Sequence, residues 1–147
     1  MAARQSVVLW GDFSGEHAPL ASIAEEFGFA VQQAASLADL EELQQQNRIS
    51  AVLIHVGAEG PAWDELLQTV RRALRKSTKM VLCHSAEFAD LRPRMVEAGA
   101  FYTLLTPLVE TETRQALGFI WASKRGRLQE IGAKSASASA SRRAGAA

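Results

Sequence analysis

Cysteine is almost missing from this sequence: Cys83 stands alone. A single thiol excludes an intramolecular disulfide framework, and with it the small secreted scaffolds that depend on one. Net charge is missing as well. Sixteen Lys and Arg balance sixteen Asp and Glu, which argues against a nucleic-acid coat and against an acidic solvating tail. No apolar run approaches the roughly 18 residues of a membrane span. Met1–Gln5 lacks the cationic start and long apolar stretch of a signal peptide. Phosphate-cradling loops are absent too. Gly11-Asp12-Phe13-Ser14-Gly15 does not have dinucleotide-site spacing, and no GxxxxGK[ST] occurs. These absences leave a soluble, cytoplasmic protein. At 147 residues and 48% apolar content, one domain with a real core is expected.

The balanced charge hides an asymmetry. Lys124, Arg125, Arg127, Lys134, Arg142 and Arg143 face one acid, Glu130, from 124 onward. That end carries +5 and the preceding body −5. After Gly132 the chain reads AKSASASASRRAGAA. It has no large apolar side chain to offset the entropy of ordering. Residues 133–147 are therefore expected to form a disordered Ser/Ala/Arg tail after a domain spanning 1–132.

Two hydrophobic periods alternate through the body. Short apolar runs at Ser6–Trp10, Phe29–Ala34, Ser50–Val56, Lys79–Ser85 and Phe101–Leu105 read as strands. Between them lie helical stripes. Leu20, Ile23 and Phe27 form the first, ended by Gly28; a glycine there supplies a C-terminal cap. Leu37, Leu40 and Leu43 form the second, opened by Ser36 with Asp39 in capping-box spacing and broken at Asn47. Trp63, Leu66, Leu67, Val70 and Leu74 form the third. The fourth carries Leu91, Met95 and Val96 and is expected to start near Asp90, which keeps Pro93 in its first turn. The fifth carries Leu117, Ile120, Trp121, Leu128 and Ile131. If continuous from Glu110 to Ile131 it is about 33 Å long and carries Leu128 and Ile131 past the sheet; the alternative is fraying at Gly126.

Strands apolar on both faces imply a parallel sheet covered on both sides. Right-handed crossovers then give an α/β doubly wound sheet. In such sheets function lies beyond the carboxyl ends of the strands, here at Gly11-Asp12-Phe13, His55-Val56-Gly57, His84-Ser85-Ala86 and Thr106-Pro107.

At these positions the sequence resembles the receiver domain of bacterial two-component response regulators. The resemblance spans about residues 5–123. SVVLWGDF stands where that family has a strand ending in paired acids. SAVLIHV stands where the third strand ends in the phosphorylated Asp. VLCHSA stands where a strand ends in Thr or Ser and then Ala, and AGAFYTLLTP resembles the segment ending in Lys-Pro. The resemblance implies a flavodoxin-like (βα)5 fold with strand order 2-1-3-4-5. It also implies a pocket where Mg²⁺ and a Lys neutralise a phosphoryl group on a carboxylate.

Set against that pattern, the acceptor position holds His55, the first acid position Gly11 and the lysine position Thr106. The switch aromatic position holds Thr103, with Tyr102 one residue away and expected on the other side of the strand. Asp12, Ser85, Ala86 and Pro107 are retained. Magnesium prefers oxygen ligands to neutral imidazole. The pocket of Gly11, Asp12, His55, Ser85, Thr106 and Pro107 is therefore expected to be a degenerate one, with no metal, no cofactor and no catalytic residue.

Other chemistries were weighed on the same residues. His55 is expected as a part-buried ring hydrogen-bonded to a neighbour such as Asp12; a phosphoryl acceptor or a pH sensor are the alternatives. His55, His84 and Asp12 form a valid Zn²⁺ ligand set, but strand alternation turns His84 away. Ser85, His55 and Asp12 lack the GxSxG elbow of a hydrolase, and Cys83 is expected as an inert core thiol. The expected function is a stand-alone pseudo-receiver that binds proteins without phosphorylation. Its partner would be a kinase, a larger regulator or a second copy, through a face bearing Leu91, Met95, Tyr102, Leu117 and Trp121. Neither membrane nor nucleic acid is expected as a partner, and the chain is too short for an added DNA-binding domain. Two readings stay open beside it: an atypical receiver that still switches, and a small enzyme or ligand-binding protein using the crevice.

Overall fold

The structure is a computed structural model that describes residues 5–57 and 62–132, with the backbone alone over 124–132. Its elements run β1 (Gln5–Trp10), α1 (His17–Glu26), β2 (Ala30–Ala34), α2 (Leu37–Gln46), β3 (Arg48–Val56), α3 (Trp63–Ala73), β4 (Lys79–His84), a 3-10 turn (Ala86–Leu91), α4 (Arg92–Glu97), β5 (Tyr102–Leu105) and α5 (Glu110–Gly132). The five strands are parallel, in the order β2-β1-β3-β4-β5. This is the α/β doubly wound sheet expected from the alternating periods, in the flavodoxin-like order that the resemblance implies.

Strand alternation divides the core in two. Val7, Leu9, Leu53, Val81 and Cys83 face α1 and α5. Val8, Val52, Ile54, Met80 and Leu82 face α2, α3 and α4. Complete burial of side chains such as Leu53 and Ile54 contributes about 1.5–3 kcal/mol each. The central strands are apolar on both sides because helices cover both.

Local signals set the helix limits. Ser36 Oγ accepts from the Asp39 amide, and Asp39 Oδ2 accepts from the Ala35 amide, so the predicted capping pair forms. Gly28 takes a φ of +79° after α1, a left-handed cap that favours glycine. Asn47 ends α2. The fourth helix departs from expectation. Ala86–Leu91 winds as a 3-10 turn with Asp90 inside it, and the α-helix starts at Arg92. Pro93 lies at the start of α4, where its missing N–H is tolerated. α5 continues through Gly126 to Gly132, so the backbone does not fray at Gly126. The side chains of Leu128 and Ile131, the expected 133–147 tail and the 1–4 end all lie outside the described residues. Among the described residues, no helix is long and apolar enough to cross a membrane.

Candidate functional site

The carboxyl ends of β1, β3, β4 and β5 bring together most of the residues singled out by sequence. Gly11 and Asp12 follow β1, His55 is the penultimate residue of β3, Ser85 follows β4, and Thr106-Pro107 follows β5. The parallel register aligns Trp10 with Ile54 and His55 with Cys83, so Gly11 falls beside His55. A Cβ at Gly11 would stand 2.9 Å from the His55 Cβ, and the backbone there has a φ of +107°. The position is closed to side chains twice over, by contact and by backbone conformation.

His55 is half-buried. Its ring meets Phe13 edge-to-face, with centroids 5.3 Å apart and planes at 87°. The expected hydrogen bond to Asp12 is not formed among the described residues. Asp12 Oδ1 accepts instead from the Ser14 amide at 2.9 Å. That bond, a further one from the Ser14 side chain and the nearby His55 charge hold the Asp12 carboxyl below its usual range. An aspartate two residues before a free amide satisfies it locally, and this local turn outcompetes the imidazole.

His84 behaves as strand alternation requires. It lies on the α4 side, fully buried, opposite to His55. Arg92 Nε donates to His84 Nε2 at 3.2 Å, which leaves Nδ1 to carry the proton and donate to the Ser85 carbonyl at 2.9 Å. Burial pushes its pKa down; the Ser85 carbonyl opposes this and the Arg92 charge adds to it. The two histidines cannot converge on one ion. Among the described residues, no group of three His, Cys, Asp or Glu side chains could hold a metal. Asp12 with one oxygen engaged, beside a glycine and an imidazole, is not a donor set for Mg²⁺, which needs near-octahedral oxygen ligation.

Cys83 is buried in the core, where desolvation foremost, with the Glu16 charge, raises its pKa far above the thiol range. It is inert, as expected. Ser85 is half-buried, and its Oγ donates to Glu87 Oε1 at 3.3 Å rather than to a histidine, so no hydrolase relay is assembled.

Glu16 was not singled out by sequence. Its Oε2 accepts from the Leu108 amide at 2.9 Å, across 92 residues of chain. It ties the loop after β1 to the loop after Pro107. The Thr106 amide donates to the His84 carbonyl at 2.7 Å, and the Thr106-Pro107 peptide is cis. The loop where the resemblance places a lysine is thus held by a carboxylate.

The expected interaction face needs correction. Met95 and Leu117 are buried in the two cores, because their stripes point at the sheet. Tyr102 and Trp121 also part company. The Tyr102 ring packs against Phe119 at 5.8 Å, whereas Trp121 packs towards α1, with its ring 6.5 Å from Phe27. Residues two apart on a helix point to nearly opposite sides. Among the described residues, the exposed large apolar side chains on α4 and α5 are Val96, Phe119 and Trp121, with Val109 just before α5. Leu91 is half-buried.

No protein-family model matches the chain, and no curated protein matches it in sequence. Solved structures do match. The N-terminal receiver domain of a two-component response regulator from Bacteroides fragilis superposes with a TM-score of 0.67 at 17% identity, covering 81% of this chain and 98% of that one. A response regulator from Thermotoga maritima gives 0.68 at 20%, with the same coverage. The receiver domain of the TMAO respiratory system regulator TorR gives 0.65 at 22%, over 80% of this chain and 98% of that one. The fold is that of a response-regulator receiver domain. Receiver architecture therefore spans nearly all described residues, and the groups at its strand ends are those set out above.

Proposed function

We propose that this chain is a pseudo-receiver: a non-catalytic, cytoplasmic signalling module that works by protein–protein interaction without phosphorylation of its strand-end pocket. The observation that carries this reading is the closed pair Gly11–His55. An imidazole stands at the strand end where the resemblance places the acceptor carboxylate. The neighbouring acid position has no room for a side chain. The remaining acid, Asp12, is engaged by its own turn. A phosphoryl group arriving there would meet neither enough anionic oxygen to hold magnesium nor a lysine to pair with.

The Glu16 bridge supports the same reading. A side chain of the protein itself holds the loop after β5, so its position does not await an added group. Contact with a kinase, a larger regulator or a second copy would use the β5 edge, where Phe119, Tyr102 and Val96 offer apolar surface. Trp121, on the α1 side, serves a different face.

Incubation with acetyl phosphate and Mg²⁺ tests the reading. The expected result is no incorporation into the native chain or into His55→Asp, since Gly11 and Thr106 still leave the site short of an acid and a cation. Magnesium-dependent incorporation would favour a switchable receiver and overturn the proposal. A size that rises with concentration and drops on Phe119→Ala would identify a second copy as the partner.

A further inference from the structure

The opposite end of the sheet, where the strands begin, has a different character. Two chain segments meet there, 43–50 from the end of α2 into β3 and 71–79 from the end of α3 into β4. Together they contain Arg48, Arg71, Arg72, Arg75, Lys76 and Lys79 and no acid. Between them lies a cleft of about 180 Å³, lined by Gln44, Asn47, Arg48, Arg75, Ser77 and Thr78. The nearest acids along the chain, Glu41 and Glu42, precede Gln44 by three and two residues on α2 and do not line it.

Capping of helix carbonyls explains only part of this charge. The carbonyl ends of α2 and α3 both point to this end of the molecule, and cations are favourable beside them. Arg71 is committed elsewhere: it braces the loop after α3 by donating to the carbonyls of Thr78 and Arg75. Lys79 is also committed, with its ammonium 5.1 Å from the centre of the Phe101 ring. Arg48 and Arg75 remain on the cleft walls. Both are exposed, and neither forms an ion pair among the described residues. Arg75 NH2 makes one long contact, 3.5 Å to the Gln44 carbonyl.

The neutral walls are held in place by their own bonds. Gln44 bridges the two segments through the Ala73 carbonyl and the Arg75 amide. Thr78 Oγ1 donates to the Ile49 carbonyl. This cross-bracing fixes the spacing of the two walls before any ligand arrives, which lowers the ordering cost of binding.

We propose that this cleft is an anion site that takes a phosphate group between the guanidinium groups of Arg48 and Arg75, with the Ser77 hydroxyl as an additional donor. Guanidinium forks match the geometry of phosphate oxygens, and no carboxylate lines the cleft to compete for them. The volume suits one phosphate, either free or as the end of a small phosphomonoester. The site is separate from the strand-end pocket, and its test does not depend on how that pocket behaves.

The full chain is titrated with sodium phosphate and, separately, with glycerol 3-phosphate, and the amide resonances of Asn47 and Ser77 are followed. Sodium chloride at matched ionic strength serves as the control, because diffuse screening moves signals without saturating them. Saturable shifts with phosphate, absent with chloride, are expected. They should weaken about tenfold or more in Arg48→Gln/Arg75→Gln, as loss of two charge-assisted contacts requires. Tighter binding of glycerol 3-phosphate would assign the site to phosphomonoesters, and equal or weaker binding would assign it to free phosphate. Shifts that stay linear, that chloride reproduces, or that persist in the double variant would overturn the proposal. Should the double variant fail to fold, Arg48→Gln alone decides, since its exposed side chain holds nothing else in place among the described residues.

Discussion

The two ends of one sheet carry opposite chemistry. At the carboxyl ends of the strands the acids Asp12 and Glu16 are both bound to backbone amides of the protein, at Ser14 and Leu108. At the amino ends, Arg48 and Arg75 face a cleft with no acid in it. One end has satisfied its charges internally and the other has not. A fold which usually concentrates binding at one end of its sheet can thus have acids at that end bound to its own amides while cations without ion pairs line a cleft at the other.

The strongest way to break this contrast is to reopen the closed end. Gly11→Asp forces a Cβ to 2.9 Å from His55 and an L residue to a φ of +107°. It should cost about 3 kcal/mol, as steric overlap adds to backbone strain, read as a lower urea midpoint. A near-neutral result would mean that the strand end has room for the acid that the resemblance leads one to expect. Glu16→Ala removes the bridge to Leu108 and should cost about 1.5 kcal/mol. Faster hydrogen exchange at the Leu108 amide should accompany the loss, and unchanged exchange would show that the loop is held by other means.

A smaller effect separates the histidines. His84 has a depressed pKa because it is buried next to Arg92. Unfolded, it takes up its proton near 6.5, whereas folded it does so only at lower pH. The contribution of His84 to stability should therefore be flat above neutrality and fall as pH drops through about 6.5, because there the unfolded state binds more protons. His84→Gln should flatten that part of the urea-midpoint profile; an unchanged slope would place the pH dependence elsewhere. The smallest effect belongs to the open end. Arg48→Gln should change stability by no more than about 0.5 kcal/mol while weakening the response to phosphate. A large loss of stability would make Arg48 a structural residue and end the contrast.

Much of the architecture was legible because it rests on periodicity. Val52, Leu53 and Ile54 read as a strand covered on both sides, and both cores claim them. Ser36 and Asp39 announced a helix start that forms as written. The candidate site was legible as a list of residues but not as a set of contacts. Asp12 was matched with His55, yet a neighbouring amide in its own turn took its oxygen. Met95 and Leu117 were placed on a surface because a helical stripe does not say whether it faces core or partner. Glu16 went unnoticed because its partner is 92 residues away. The basic run from Arg71 to Lys79 carries no signal in the sequence, because only the folded sheet brings Arg48 into the same cleft as Arg75.

The sequence by itself determined the strands, the helices and their doubly wound arrangement, since hydrophobic period and cap chemistry are local and repeat along the chain. It also carried the resemblance under which Gly11, His55 and Thr106 are expected where two acids and a lysine would stand. Only the tertiary structure decided that Gly11 has no room for a side chain, that Glu16 holds the loop after Pro107, and that Arg48 meets Arg75 across a cleft. Those outcomes depend on distances between residues far apart in the chain, and such distances exist only once parallel strands have fixed which ends lie side by side.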